Sequence, residues 1–244
     1  MKNFIPTDQT GHAVGDIAQD EGAKATPPGL RGRKKAQRRE TILARSSELF
    51  AQKGIDATTM AEIADAVGVS TPTIFNYFGN KDGILIALIT EGAQKARAEG
   101  LAPVMQKDSD FGTMLADLFT LFATRTLAIA NKRIWRYAEA ATIRHPGTEL
   151  ARNYVTVDEE LVRVIVRFLD GYDIRLRSGA SPDPQFLGQL FYDVWNPSFF
   201  NLIKSDEITL DQHRDDLLQR FVPLAGMLFD DAFLTNPTLK PGKP

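Results

Sequence analysis

The chain has 244 residues, of which 43% are hydrophobic, and this content is enough for the buried core of one large or two modest domains. It contains no cysteine, which excludes disulfides and thiolate metal sites, and we expect neither a metal nor a cofactor. No stretch approaches the roughly 18 consecutive apolar residues of a membrane span, and the first 30 residues lack a secretory signal, so we expect a cytoplasmic protein with no membrane partner.

Positive charge is concentrated in one short stretch. The formal net charge is only -2, yet residues 31–53 contain eight Lys and Arg against Glu40 and Glu48, a local balance of +6. The first part of this stretch is a basic arm made of Arg31, Arg33, Lys34, Lys35, Arg38 and Arg39. We expect the arm to contact a DNA minor groove or phosphates, with Arg33, Lys34 and Lys35 as candidate contacts, or else to be a solvated linker.

The N-terminal extension and the first helix differ sharply in pattern. Residues 1–30 contain four Gly and three Pro without apolar periodicity, and we expect them to be disordered because they cannot offset the entropy of ordering. From Gln37 onwards, apolar residues recur on one face of a helix that Gly54 should end. The residues on this face are Ile42, Leu43, Ser46, Leu49 and Phe50.

Two short helices follow with the spacing of a DNA-binding helix-turn-helix. Thr59 stands three residues before Glu62, in the T-x-x-E relation of a capping box that opens the second helix. Gly68 should end that helix, because glycine tolerates a left-handed turn. Only residues 68–70 then separate it from a third helix, which ends near Phe78.

The third helix combines a buried and an uncharged polar face. Ile74 and Phe78 stand four residues apart and should face inward. The residues left to point elsewhere are Thr71, Thr73, Asn76 and Tyr77. Because none of them is charged, this face suits hydrogen bonding to base edges.

The remainder of the chain has helical periodicity, and no strand alternation competes with it. Asn80 can cap the first of these helices. The expected helices cover residues 81–99, 111–130, 132–143, 149–169, 183–204 and 210–233. The sequence therefore predicts an all-α fold.

Residues 58–85 read TTMAEIADAVGVSTPTIFNYFGNKDGIL. This stretch resembles the DNA-binding signature of the tetracycline-repressor (TetR) family, and the resemblance covers about residues 36–85. It implies a homodimer in which a three-helix DNA-binding head, residues 31–82 with the basic arm, is joined to a larger helical body. The body, residues 83–235, would bind a ligand and dimerise, and a tail would follow at 236–244.

The resemblance also implies roles for single residues of the head. Base edges would lie near Thr71, Thr73 and Asn76, and phosphates would be held by Thr59, Tyr77 and Lys81. Lys81 has independent support, because free amides and the positive dipole end at a helix start attract an anion. The chain has Phe75 where the family frequently has tyrosine, so a phenolic phosphate contact is absent.

Two further sets of residues are candidates for the ligand site and the dimer interface. The aromatic candidates for an apolar effector pocket are Phe119, Phe122, Trp135, Tyr137, Phe168, Tyr172 and Trp195, each of which is alternatively a core residue. The last two helices carry apolar stripes at Leu187, Leu190, Phe191 and Val194, and at Leu217, Phe221, Leu224 and Leu228. The resemblance implies a four-helix dimer interface there, and the alternative is that both stripes are buried inside one subunit.

We expect no enzymatic activity. The three histidines, His12, His145 and His213, are far apart, and no H-E-x-x-H, G-x-S-x-G or P-loop pattern occurs. The expected function is that of a repressor that binds a palindromic operator in double-stranded DNA as a homodimer and is released by a small molecule. The alternative is a DNA-bound adaptor of the same fold that is controlled by a protein partner and has no small-molecule site.

Overall fold

The computed structural model describes residues 29–101 and 109–241. Within these ranges the backbone forms helices and two isolated β-bridges but no strand, which confirms the expected all-α fold. The helices are α1 (Leu30–Lys53), α2 (Met60–Val67), α3 (Thr71–Phe78), α4 (Lys81–Ala98), α5 (Phe111–Ile129), α6 (Lys132–Arg144), α7 (Glu149–Asp170), α8 (Pro184–Lys204), α9 (Leu210–Leu228) and α10 (Asp231–Thr235). The prediction that residues 1–30 are disordered concerns mainly residues 1–28, which lie outside the described ranges. Gly29 is described, and Leu30 is the first residue of α1.

Helix α1 contains the basic arm, which therefore continues the helix instead of preceding it. The helix begins at Leu30 instead of Gln37, and residues 31–38 are exposed on all sides. Lys, Arg, Gln and Ala have favourable helix propensities, which lets the helix extend beyond its packed part. That packed part begins at Ile42 and ends with Phe50, both of which are fully buried.

Helix α4 joins the head to the body through a shared core. Its Ile84 and Leu85 are fully buried, and the helix packs against α1 and α3 on one side and against α5 and α7 on the other. Gly92 allows the close approach to α5, because a Cβ atom at this position would lie 2.5 Å from Cγ2 of Ile129. Helix α4 therefore runs from the helix-turn-helix into the body and packs against both.

Helix α5 is the centre of the body and packs most extensively against α9. The ring of Phe119 stacks on that of Phe221, with centroids 4.8 Å apart. Near the start of α5, Phe111 contacts the rings of Phe168, Phe229 and other aromatic residues. Such aromatic pairs contribute beyond the area that they bury. The aromatic residues of the body thus form much of its core.

The dimer stripes expected from the sequence need correction. Leu187, Phe191, Leu217 and Phe221 are each at most 3% exposed within a single chain. They belong to the core of one subunit, because α8 and α9 are apolar on more than one face and periodicity alone does not identify the outer face. The other four stripe residues, Leu190, Val194, Leu224 and Leu228, are partly buried.

The last described residues are packed against the body, although a tail was expected from residue 236. Helix α9 ends at Leu228, five residues before the expected Phe233, and the short α10 follows. The backbone amide of Lys240 donates to the carbonyl of Gly171 at 2.8 Å, and its ammonium pairs with Asp170. Residues 242–244 lie outside the described ranges.

None of the described helices is by itself long and apolar enough to cross a membrane. Among them, α5 and α6 reach that length and composition only as a pair, and the pair is bent by 94°.

Candidate DNA-binding surface and ligand cavity

Local interactions build the helix-turn-helix as expected from the sequence. The hydroxyl of Thr59 accepts a hydrogen bond from the amide of Glu62, whose carboxylate accepts one from the amide of Thr59. Gly68 adopts a left-handed conformation with φ of 73°, which confirms its turn role. The amide of Val69 then donates to the carbonyl of Ala64 at 3.0 Å, which closes the turn.

Helix α3 buries the two residues that were expected to face inward and leaves its polar residues accessible to different degrees. Ile74 and Phe78 are buried against the head, whereas Asn76 is exposed. Thr71, Thr73 and Tyr77 are partly buried, and the hydroxyl of Thr73 hydrogen-bonds to that of Ser70 at 2.8 Å. Phe75 is 48% exposed on the same helix, an apolar group that the sequence reading did not assign to the DNA surface. An exposed ring beside polar residues suits contact with a thymine methyl group.

The basic face of α1 lies beside α3. A groove of about 510 Å³ lies between them and is lined by Leu30, Arg31, Lys34, Lys35, Arg38 and Tyr77. The Tyr77 hydroxyl is 3.5 Å from the carbonyl oxygen of Lys35. The four cations recur at helical spacing on one face and all belong to the basic arm. Of the three arm residues named as candidate contacts, Lys34 and Lys35 line the groove and Arg33 does not.

The other cations of this stretch are engaged in contacts within the protein. Arg39 pairs with Glu91 of α4, and its guanidinium lies 4.6 Å from the ring centroid of Phe78. Lys53 pairs with Glu62 at 2.5 Å, and this hydrogen bond is the main reason why the pKa of Glu62 is lowered to about 2. By contrast, the four groove cations form no ion pair within the described residues, which leaves them available to an anion.

Lys81 and Thr59 have structural contacts in addition to the phosphate roles expected for them. The ammonium of Lys81 donates to the carbonyl oxygens of Ile55 at 2.7 Å and Asp56 at 3.1 Å. These bonds tie the start of α4 to the loop that follows α1. Phosphate binding by Lys81 stays a prediction. It is compatible with these contacts, because an ammonium has three donors and only two are used.

A second basic side chain links this loop to the body. Arg133, at the start of α6, donates from its guanidinium to the carbonyl oxygens of Gln52 and Lys53, each at 3.1 Å. These carbonyls lie at the C-terminus of α1, where a cation is favoured by the helix dipole. The head therefore contacts the body at a point separate from α4.

The body contains a cavity of about 640 Å³ between α4, α5 and α7. Two of the seven aromatic candidates, Phe122 and Phe168, line it. The remaining lining is largely apolar and includes Ala93, Ala96, Leu101, Ile129, Val157, Leu161 and Val164. This volume lies in the range typical of small-molecule sites. The sequence had indicated the aromatic content but not the position of the cavity.

The other five aromatic candidates do not line this cavity: Phe119, Trp135, Tyr137, Tyr172 and Trp195. Phe119 is fully buried between the rings of Trp195 and Phe221. The indole of Trp135 donates to the carbonyl oxygen of Thr126 at 2.9 Å. Four of the five, Phe119, Trp135, Tyr172 and Trp195, are at most 4% exposed and belong to the core, whereas Tyr137 is only partly buried.

A separate groove of about 530 Å³ lies between α6, α7 and α8 and is acidic. Burial raises the pKa of Glu139 and raises that of Asp158 to about 7. Tyr154 neighbours Glu139, and Tyr192 neighbours Asp158. Sequence reasoning missed this cluster, because its members come from three helices.

Comparison with known proteins adds a family assignment. Residues 42–88 match the family model described as "Bacterial regulatory proteins, tetR family". The chain is 33% identical over 168 residues to the HTH-type transcriptional repressor Rv1474c of Mycobacterium tuberculosis, covering 60% of this chain and 86% of that protein. It is 32% identical over 170 residues to the repressor AcnR of Corynebacterium glutamicum, covering 62% of this chain and 88% of that protein. The match to the repressor ComR of Escherichia coli, at 31% identity, covers 38% of this chain and 44% of that protein.

Solved structures agree on the fold. A TetR-family regulator from Pectobacterium atrosepticum superposes with a TM-score of 0.57 at 18% identity, covering 81% of this chain and 97% of that one. The TetR regulator from Nitrosomonas europaea has the same TM-score at 16% identity and covers 77% of this chain and 98% of that one. These relatives are transcription regulators, in agreement with the expectation of a protein that is not an enzyme. The chain therefore belongs to the TetR family of DNA-binding transcription regulators.

Proposed function

We propose that the protein is a homodimeric repressor that binds a palindromic operator through α3 and the basic face of α1 and is released when a small molecule enters the body cavity. The observation that carries the proposal is the groove beside Tyr77, where Arg31, Lys34, Lys35 and Arg38 have no ion-pair partner within the described residues. Cations left unpaired next to a recognition helix favour phosphate binding on either side of the major groove.

Operator selection from a randomised duplex library tests DNA recognition. A dimer should enrich a palindrome whose half-sites are about one helical turn, or 34 to 36 Å, apart. Failure to enrich any sequence would count against an operator-binding repressor.

The basic face is tested by the salt dependence of DNA affinity. Each of the variants Lys35→Ala and Arg38→Ala should weaken binding to all duplexes and lower the slope of log affinity against log salt by about one unit, because each removes one phosphate contact. Arg175→Ala is the matched control, since Arg175 is an exposed arginine of the body that pairs with Asp173. A slope that changes equally in the control would contradict the assignment.

Release by a ligand requires energetic coupling between the cavity and the head. A roughly 100-fold loss of DNA affinity corresponds to about 2.7 kcal/mol of coupling, and operator DNA must weaken ligand binding by the same factor. Calorimetric titration of ligand with and without operator measures this reciprocity. Equal ligand affinities in the two titrations would eliminate the sensor function.

A second candidate function is the adaptor controlled by a protein partner. The observation that favours it is the acidic groove, whose rim carries Ile143 and Val155 at 71% and 56% exposure. Exposed apolar residues beside a groove suit a protein contact. In that case, Val155→Asp would abolish regulation in cells and leave DNA binding intact.

A further inference from the structure

The cavity in the body contains three arginines, one from each of its helices. Arg97 comes from α4, Arg125 from α5 and Arg167 from α7. The lining includes one acidic residue, Asp170, whose carboxylate already accepts from Lys240 at 2.9 Å. Three guanidinium groups against one carboxylate give the described lining a clear positive excess.

These arginines differ in how far they are already engaged. Arg125 is 15% exposed, and its Nε atom lies 3.3 Å from a carboxylate oxygen of Glu99, which is itself 55% exposed. Arg97 is partly buried and Arg167 is exposed, and neither forms an ion pair with another described residue. Guanidinium groups have five N–H donors each, so most of the donors in this cavity remain available.

The wall of the cavity between the arginines is apolar. Phe122 of α5 faces the residues that α7 contributes at helical spacing, Val157, Leu161, Val164 and Phe168. Transfer of a hydrocarbon group from water onto such a surface is favourable in proportion to the area buried. A ligand that fits this site therefore has an apolar body as well as a group that guanidinium binds.

We propose that the cavity binds an anionic amphiphile, a molecule with a hydrocarbon body and one carboxylate or phosphate group. The anion would be bound by Arg97, Arg125 and Arg167, since planar guanidinium groups bind both head groups in a two-pronged geometry. The hydrocarbon would lie along Phe122 and the apolar face of α7. This inference rests on the proposed function, because it identifies the chemical class of the effector.

Four ligands with the same hydrocarbon chain and different head groups distinguish the contribution of head-group charge to affinity from that of the hydrocarbon. The probes are dodecanoate, dodecyl phosphate, dodecanol and dodecylammonium, titrated calorimetrically below micelle formation into the full chain without DNA. We expect at least one anion to bind about tenfold or more tightly than the alcohol, with the ammonium weakest, because charge-assisted hydrogen bonds form only with the anions. The tighter anion distinguishes a carboxylate from a phosphate effector.

Variants test which side chains bind the head group. Arg97→Met and Arg167→Met should each weaken binding of the preferred anion by about tenfold and leave dodecanol affinity unchanged. Arg163→Met is the matched control, since Arg163 lies one turn before Arg167 on α7 and pairs with Glu159 and Glu160. The ligand series on the unaltered chain tests the chemical class even if a variant fails to fold.

The outcomes separate this inference from the proposed function. Equal affinities of the alcohol and the anions, tighter binding of the ammonium, or no binding of any probe would overturn the anionic class. Preferential binding of an anion that leaves operator affinity unchanged would uphold the class and overturn release by the ligand. Loss of operator affinity on addition of the anion but not of the alcohol would support both.

Discussion

Two ionisable side chains of the body, Asp158 and His213, have pKa values shifted in opposite senses. Burial raises the pKa of Asp158 from 3.8 to about 7 and lowers that of His213 from 6.5 to about 4. Each group is thus favoured in its neutral form by the folded chain. Both shifts couple the free energy of unfolding to pH, with opposite signs.

Asp158→Asn should remove a loss of stability that the wild-type protein undergoes as the pH rises from about 4 to about 7. The folded chain retains the Asp158 proton that the unfolded chain loses above 3.8, so this contribution is present below that pH and is lost as pH rises through about 7. Asparagine has nearly the same size as aspartate but cannot ionise. Urea unfolding across this range measures the effect, and an unchanged pH slope would contradict the raised pKa.

His213→Leu should have the opposite effect on the pH dependence of the free energy of unfolding. The unfolded chain takes up a proton below pH 6.5 that the folded chain takes up only near pH 4, so wild-type stability is lost as pH falls through this window. His213 is 2% exposed, and its Nδ1 atom lies 3.3 Å from the hydroxyl of Ser198. Leucine removes the titration, and the free energy of unfolding of the variant should therefore fall less over the same acid window.

At the scale of elements, the contact between α1 and α6 links the head to the body outside α4. Arg133 binds two carbonyl oxygens at the end of α1, and Gly54 follows with φ of 89°. A Cβ atom at Gly54 would lie 2.9 Å from the Arg133 guanidinium, so glycine at this position permits the contact. Movement of α6 would be transmitted directly to the head.

Arg133→Met should loosen this link. Loss of two hydrogen bonds from a charged group costs about 1 to 3 kcal/mol, discounted for solvent exposure, and the amides of residues 52–56 should exchange hydrogen several-fold faster. Arg144→Met is the control at the other end of α6, where the side chain donates only to the carbonyl oxygen of Ala140 in its own helix. Unchanged exchange near the end of α1 in Arg133→Met would show that the contact does not hold the head.

For the whole molecule, the outer surface of α8 and α9 offers a face for a second copy. Phe186 is 63% exposed and Met227 is 69% exposed, although both helices bury their opposite sides. The two helices are consecutive and in contact, and both residues lie far from the loop that joins them. Large exposed apolar side chains on neighbouring helices are typical of an interface.

Phe186→Asp combined with Met227→Asp should convert the proposed dimer into a monomer, because association would bury two uncompensated charges per subunit. Light scattering measures the mass, and affinity for a palindromic operator should fall more than affinity for a half-site. Val155→Asp, which alters an exposed apolar residue outside this face, should leave the mass unchanged. A double variant that stays dimeric would place the interface elsewhere.

Local sequence determined the all-α fold and the helix-turn-helix by itself. The Thr59 capping box, the left-handed Gly68 and the Asn80 cap depend on residues within one turn of each other, so their physical consequences can be predicted without knowing the rest of the chain. The extension of α1 through the basic stretch was missed, because charged residues with good helix propensity lack the apolar periodicity used to identify a helix.

Only the tertiary structure decided which apolar faces point inward and which polar residues meet. Leu187 and Phe221 satisfied the pattern of an interface but are buried within one subunit, since a helix with apolar residues on more than one face does not specify which face is buried. Arg97, Arg125 and Arg167 are distant in sequence and converge on one cavity through the packing of three helices. Helical periodicity describes directions around a single axis, whereas a site of this kind depends on how several axes pack together.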